Sequence, residues 1–219
     1  MGDGAIAWAD LEPPWQAALD EAWRSWCAGS AGVGCVIVDH EGAVVARGRN
    51  RMMDGRDVDG GPLAGTPLAH AEMNALAQLS VGGGFSGHRL YTTFEPCLMC
   101  ASAIVQIHIG NVCFAAADPV FDGLHDWLGE FAFAAERLPQ RSCLGGPVGS
   151  FAHVLHLSWL AFWLREGQVL DAHRRLSPRH LDLARRVAEE GHLAEVASAG
   201  GSVVDAMTAL WPELVTLAE

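Results

Sequence analysis

Hydrophobic positions along the chain change period several times, and the changes mark the elements. From Pro14 to Cys27, Trp15, Leu19, Trp23 and Trp26 recur on one face of an amphipathic helix. Gly34 to Asp39 (GCVIVD) is a short continuous apolar run and predicts a buried strand. His40-Glu41-Gly42 is a turn, and Ala43 to Gly48 returns as the second strand of a hairpin. Asp54 to Gly65 is rich in Gly and Asp, has no period and reads as a loop. Thr66 and Pro67 then announce a helix through Ala69 to Leu79, stopped by Gly82-Gly83-Gly84. Arg89 to Thr93 is a strand. Pro96 opens a helix to about Gln106, since proline suits the first helical position, and Asn111 to Ala116 is the next strand.

This order of helix, two strands, helix, strand, helix and strand predicts an α/β fold with a sheet covered on both faces. Beyond about Pro147 the pattern becomes helical. Phe151 to Leu164 is the longest apolar stretch, but it contains His153 and His156 and is too short to span a bilayer, so it reads as a buried helix or a strand plus helix. Ser177-Pro178 is a helix start and Gly200-Gly201 a later break. These boundaries suggest a principal domain over residues 1–165, with a motif core at about 30–120, and a helical C-terminal extension over 166–219.

Composition narrows the setting. The chain has 219 residues, enough for a sizeable core, and is 50% hydrophobic, which excludes disorder as the default. The net charge of −12 repels phosphate backbones unless a local basic patch overrides it. Met1 to Asp10 carries acidic residues and no basic stretch of an export signal, and the reading is a soluble, cytoplasmic protein without a membrane span. Of Cys27, Cys35, Cys97, Cys100, Cys113 and Cys143, only Cys97 and Cys100 form a tight pair, so the cysteines do not suggest a disulfide framework.

Two short motifs carry chemistry: His70-Ala71-Glu72 and Pro96-Cys97-Leu98-Met99-Cys100. Each falls at the predicted start of a helix. Cys97 and Cys100 are three apart and share a helix face, and His70 can supply a third ligand from the other helix. Three protein ligands leave one tetrahedral position open, the pattern of a catalytic rather than a structural zinc. The two helix N-termini favour thiolates. Glu72 is not needed as a ligand and is placed to move protons between a water, a ring nitrogen and a departing amine. A lone CxxC fits a redox pair or a structural half-site, and a lone HAE fits ordinary helix residues. The two together, in this order and with a strand between them, match the His-x-Glu and Pro-Cys-x-x-Cys signature of zinc deaminases.

The stretch from about Val33 to Asp118 resembles the cytidine deaminase-like superfamily, and within it the branch of tRNA adenosine, guanine and nucleoside deaminases. The resemblance is carried by VGCVIVD (Val33 to Asp39), RGRN (Arg47 to Asn50), LAHAEMNAL (Leu68 to Leu76), LYTTFEPCLMCASAI (Leu90 to Ile104) and IGNVCFAAADP (Ile109 to Pro119). It covers less than half of the chain. It implies a three-layer α/β/α fold around a mixed five-stranded sheet, with zinc held by His70, Cys97 and Cys100 and with Glu72 as proton shuttle. It also implies substrate contacts from the Asn50 side chain and the Ala71 backbone amide, apolar walls at Val33 and Phe94, and a homodimer. Tryptophans such as Trp15, Trp23, Trp159 and Trp163 add apolar surface suited to such an interface.

The chain departs from the family where it has His108 in place of an arginine common in members that read tRNA. After the last motif strand, Asp118, Asp122, Asp126 and Glu130 form an acidic run interleaved with Phe121, His125 and Trp127. That run reads either as a solvated loop or as a lid whose carboxylates grip substrate. The expected activity is deamination of a free nucleobase, nucleoside or related amino-heterocycle, with a small-molecule partner and no nucleic acid. The alternatives are a tRNA adenosine deaminase and a catalytically silent zinc scaffold; an intact Glu72 argues against the last.

Overall fold

A computed structural model describes residues 3–55, 63–164 and 166–218. The chain runs α1 (Asp3–Ala9), α2 (Pro13–Cys27), β1 (Gly34–Val38), β2 (Val44–Arg49), α3 (Ala71–Leu76), β3 (Arg89–Phe94), α4 (Leu98–Ile107) and β4 (Asn111–Ala116). It continues with α5 (Leu124–Gly129), α6 (Ala132–Ala135), β5 (Gln140–Cys143), α7 (Gly146–Trp163), α8 (Gln168–Leu176), α9 (Pro178–Glu190), α10 (His192–Ser198), α11 (Val203–Ala209) and α12 (Trp211–Ala218). The five strands form one mixed sheet in the order β2-β1-β3-β4-β5. β1 pairs antiparallel with β2 and β3, while β3, β4 and β5 run parallel. This is the three-layer architecture that the motifs implied.

Central strands are buried along nearly their whole length, as a sheet covered on both faces requires. Two glycines set how closely the covering helices approach. A Cβ at Gly34 would lie 2.1 Å from the carbonyl oxygen of Ala18 in α2, and one at Gly48 would lie 2.2 Å from that of Ala71 in α3. Gly48 pairs with Cys35, next to Gly34, so the two glycines face opposite sides of the sheet. α2 covers one face and α3 the other. At both places backbone rests on backbone.

Part of the predicted loop at 54–65 lies outside the described residues, which omit 56–62, and so does Arg165 at the expected domain boundary. The helices after α7 share the main hydrophobic core: Leu170, Leu181, Leu193, Met207 and Leu214 are buried in one cluster with Ile37, Leu90 and Phe151. Indole N–H groups bind the two ends of the chain together. Trp23 donates to the carbonyl of Gly201 at 2.9 Å, and Trp26 to the Ser158 hydroxyl at 3.0 Å. The tryptophans read as interface therefore divide. Trp15 and Trp23 are core residues, Trp159 is half-buried, and Trp163 is exposed beside Phe162.

Several elements were absent from the sequence reading. β5 has the polar sequence QRSC and an exposed, edge position, so no hydrophobic period announces it. The acidic run holds one short helix, α5, and a second, α6, follows it. Helix starts also shift: α3 begins at Ala71 rather than Ala69 and ends at Leu76, and α4 begins at Leu98, so Pro96 precedes the helix instead of occupying its first position. Among the described residues no helix is long and apolar enough to cross a membrane.

Gly48→Ala must push α3 off the sheet. The expected result is a loss of about 1–3 kcal/mol, the range for overpacking, read as a lower thermal midpoint, with larger damage to activity than an exposed substitution such as Val45→Ala produces.

Candidate active site

His70 and Cys97 occupy equivalent places in the fold. Each is the extended N-cap residue of a helix, His70 for α3 and Cys97 for α4. Cys100 sits one turn into α4 and is fully buried. Nδ1 of His70 lies 3.5 Å from Sγ of Cys97 and 3.6 Å from Sγ of Cys100. All three ligand atoms lie within 4.8 Å of one another. A tetrahedral zinc with Zn–S near ~2.3 Å and Zn–N near ~2.0 Å separates nitrogen from sulfur by about 3.5 Å. The observed spacings fit that ion.

Side by side, the two thiols divide into one favoured as thiolate and one that keeps its proton. The Cys97 thiol is pushed down to about 4, first by the hydrogen bond from Cys100 and then, against the cost of burial, by His70. The Cys100 thiol is pushed far up by its interaction with Cys97 and by burial. The N-terminus of α4 adds a partial positive charge beside both sulfurs.

Glu72 stands next to this cluster and is 3% exposed. Its Oε1 accepts from the Thr92 hydroxyl at 2.7 Å, and its Oε2 lies 3.4 Å from Sγ of Cys100. Burial raises its pKa, opposed by the charge of His70. Thr92 comes from the central strand β3 and is itself fully buried, so the carboxylate has a fixed anchor.

His70, Glu72 and Cys97 line one cavity of about 190 Å³ together with Val33, Asn50, Ala71 and Phe94. Val33, Asn50, His70, Ala71, Glu72, Phe94 and Cys97 thus face this cavity, and Cys100 completes the triangle without lining it. The backbone around Asn50 is over-determined. Its N–H donates to Val33, its carbonyl accepts from the Ser25 hydroxyl, and its side-chain oxygen accepts from the Met52 N–H at 3.1 Å. The following turn is clamped by Asp54, which binds Arg49 and Arg51 at 2.7 Å each.

Asp118 and Phe121 of the acidic run also line the cavity, as do His156, Trp159 and Val169, which the sequence did not mark as site residues. Asp118 belongs to the acidic run and is 8% exposed. Burial pushes its carboxyl up to about 7, helped by the negative charge of Glu95. Its N–H donates to Glu95, which in turn binds Arg141 of β5. Asp126 and Glu130, by contrast, do not reach the cavity. The buried histidines of 151–164 interrupt an otherwise apolar helix, and that interruption was the available signal for His156.

His70→Ala, Cys97→Ala and Cys100→Ala each remove one corner of the triangle. Elemental analysis should find about one zinc per chain in the parent protein and a large loss in each variant. Full retention in Cys97→Ala would exclude that residue as a ligand.

The family described as "Cytidine and deoxycytidylate deaminase zinc-binding region" matches residues 10–116. A tRNA-specific adenosine deaminase of Aquifex aeolicus is 34% identical over 110 residues, 49% of this chain and 66% of the relative. A tRNA(Ile)-lysidine synthase of Deinococcus radiodurans is 30% identical over 139 residues, 53% of this chain and 22% of the relative. The chain thus spans between about a fifth and under two thirds of these two relatives. A protein solved in complex with 2,6-diaminopurine superimposes with a TM-score of 0.50 at 20% identity, covering 72% of this chain and 87% of the other, and shares the fold. Fold, zinc-fitting triangle and matched motifs together make this chain a member of the cytidine deaminase-like superfamily, carrying that family's zinc-binding region.

Proposed function

We propose that the protein is a zinc-dependent deaminase that hydrolyses the exocyclic amine of a small amino-heterocycle, a free base or nucleoside, and releases ammonia. The observation that carries this reading is the anchored carboxylate of Glu72 beside a three-cornered ligand set in a single small cavity. His70, Cys97 and Cys100 would hold the zinc, which when bound supplies a Lewis acid that makes water a better nucleophile.

Glu72 moves the protons. It accepts one from the attacking water and delivers it to the ring nitrogen, then carries the second to the departing amine. The water oxygen bonds to the ring carbon, the carbon–nitrogen bond breaks, and the nitrogen leaves as ammonia. The raised pKa of Glu72 follows from its burial and suits a group that must hold a proton between the two transfers. The Thr92 hydroxyl keeps one carboxylate oxygen in place during both.

Asn50 and the Ala71 backbone amide orient the heterocycle. Ala71 is the first residue of α3, so its N–H has no acceptor within the helix. Val33, Phe94 and Phe121 wall its faces. Asp118 places an acceptor for substrate N–H or hydroxyl groups, which supports the substrate-gripping role for this one member of the acidic run.

Charge supports the small-molecule substrate class. Among the described residues no arginine or lysine lines the cavity, whereas Glu72, Glu95 and Asp118 do. The nearest arginines in sequence, Arg49 and Arg51, are committed to Asp54. A polynucleotide enzyme draws much of its affinity from cations on phosphates. The second reading, adenosine deamination in tRNA, is favoured by the Aquifex aeolicus relative, named as tRNA-specific. We further propose a homodimer, supported by the exposed Phe162 and Trp163; a monomer mass by light scattering at micromolar concentration would count against it.

Ammonia release from a panel of bases, nucleosides and nucleotides, set beside deamination of tRNA at physiological salt, decides between the two substrates. Turnover of tRNA alone would overturn the small-molecule reading. Glu72→Gln should keep zinc and fold and lose nearly all turnover. Thr92→Val should keep zinc and lower kcat by about 10–100-fold, the usual effect of removing a group that orients another; an unchanged kcat would show that Glu72 needs no such anchor.

A further inference from the structure

Beyond Asp118, Val120 and Phe121, a further wall of the cavity lies outside the matched family region. His156 and Trp159 reach it from α7, and Val169 from α8. His156 belongs to a layer of imidazoles packed on Phe94. The Phe94 ring lies 4.5 Å from that of His156, tilted by 33°, and 5.2 Å from that of His153.

The back of this layer is partnered. Nε2 of His153 lies 3.3 Å from Nδ1 of His173, which lies 3.1 Å from the Ser177 hydroxyl. His153 stacks on His180 at 4.6 Å, and Nε2 of His180 lies 3.2 Å from the Ser150 hydroxyl. The front is not partnered. Nδ1 of His156 is buried with no hydrogen-bond partner among the described residues, and so is Nε2 of His173, which lies 3.8 Å from Oδ1 of Asp118.

A buried polar atom without a partner is costly, and folded proteins keep such atoms rare. α7 fills its large buried positions with Phe151, Val154, Leu155, Leu157 and Leu160, and its buried polar side chains Ser150, His153 and Ser158 all have partners. A leucine or phenylalanine at 156 would suit the packing. The imidazole is explained if something entering the cavity completes its hydrogen bonds. Burial, with the nearby His173 and His70, pushes His156 down to about 3, so the ring is neutral and offers one donor and one acceptor.

We propose that His156 is a specificity-determining residue that hydrogen-bonds a polar ring atom of the substrate outside the reacting amidine. The inference rests on the deaminase reading above and adds the substrate class: an aminopurine-like heterocycle with polar atoms on more than one edge. Asn50, Asp118 and His156 supply polar groups to different parts of the cavity wall, while Phe94, Phe121 and Trp159 supply aromatic surface. A single ring whose amidine is engaged leaves fewer polar atoms for them to read.

The test measures binding rather than turnover. Zinc-loaded Glu72→Gln protein is titrated calorimetrically with adenine, guanine, 2-aminopurine, cytosine and the 1-, 3-, 7- and 9-deaza purines. The same panel is repeated with His156→Phe and His156→Asn added. At least one purine should bind, and His156→Phe should weaken it about tenfold, as loss of one hydrogen bond to a neutral partner does. One analogue, lacking the atom that His156 reads, should bind the parent and the Phe variant equally. His156→Asn should recover part of the loss, with zinc content and thermal midpoint held. Equal binding of every heterocycle by parent and both variants would overturn the role of His156 and leave the deaminase reading standing. An equal loss across all analogues would make the residue structural and overturn it as well. No binding of any heterocycle to the parent would overturn both.

Discussion

The contact between Gly48 and the first turn of α3 sets the rest of the site. A strand residue without a side chain lets the helix backbone come down onto the sheet, and that depth places His70 and Glu72 level with the end of β3. Cys97 follows β3 directly, at the start of α4. Ligands from two separate helices then meet at one point without help from a long loop. A side chain at position 48 would lift one corner of the triangle relative to the other two.

The candidate metal triangle and its neighbouring carboxylate were legible because their chemistry is local. His70 and Glu72 are two residues apart, Cys97 and Cys100 three, and each pair is bound to a helix start that proline, threonine and the apolar period announce. β1, β3 and β4 were legible because buried strands write themselves as apolar runs, and β2 because the turn after β1 announces its return. β5 was not: a four-residue polar edge strand is held by its neighbour's backbone, with Arg141 lying over Phe114. The fifth strand was expected only through the family resemblance.

The wall supplied by Asp118 and His156 is a different case. Asp118 is drawn in by Glu95, which binds both its N–H and Arg141, a contact between strand ends far apart in sequence. His156 reaches the cavity because α7 packs across the same face of the sheet as α2. Neither arrangement has a short-range pattern. The acidic run looked uniform in sequence, yet only its first member turns inward, because Asp118 follows β4 directly while Asp126 and Glu130 ride on α5 and its end.

α7 holds the molecule together and also shapes what the cavity accepts. Ser158 on this helix receives the Trp26 indole, Leu155 and Leu157 fill the core, and His156 between them faces the cavity. Adjacent positions on one rigid rod thus answer to different demands. Evolution has little freedom to retune recognition along α7, because rotating or shifting the rod to suit a new ligand would unseat the core on either side. Divergence in what such a cavity admits should accumulate instead on the segment at 117–123, which follows β4 and lies outside the packed layers.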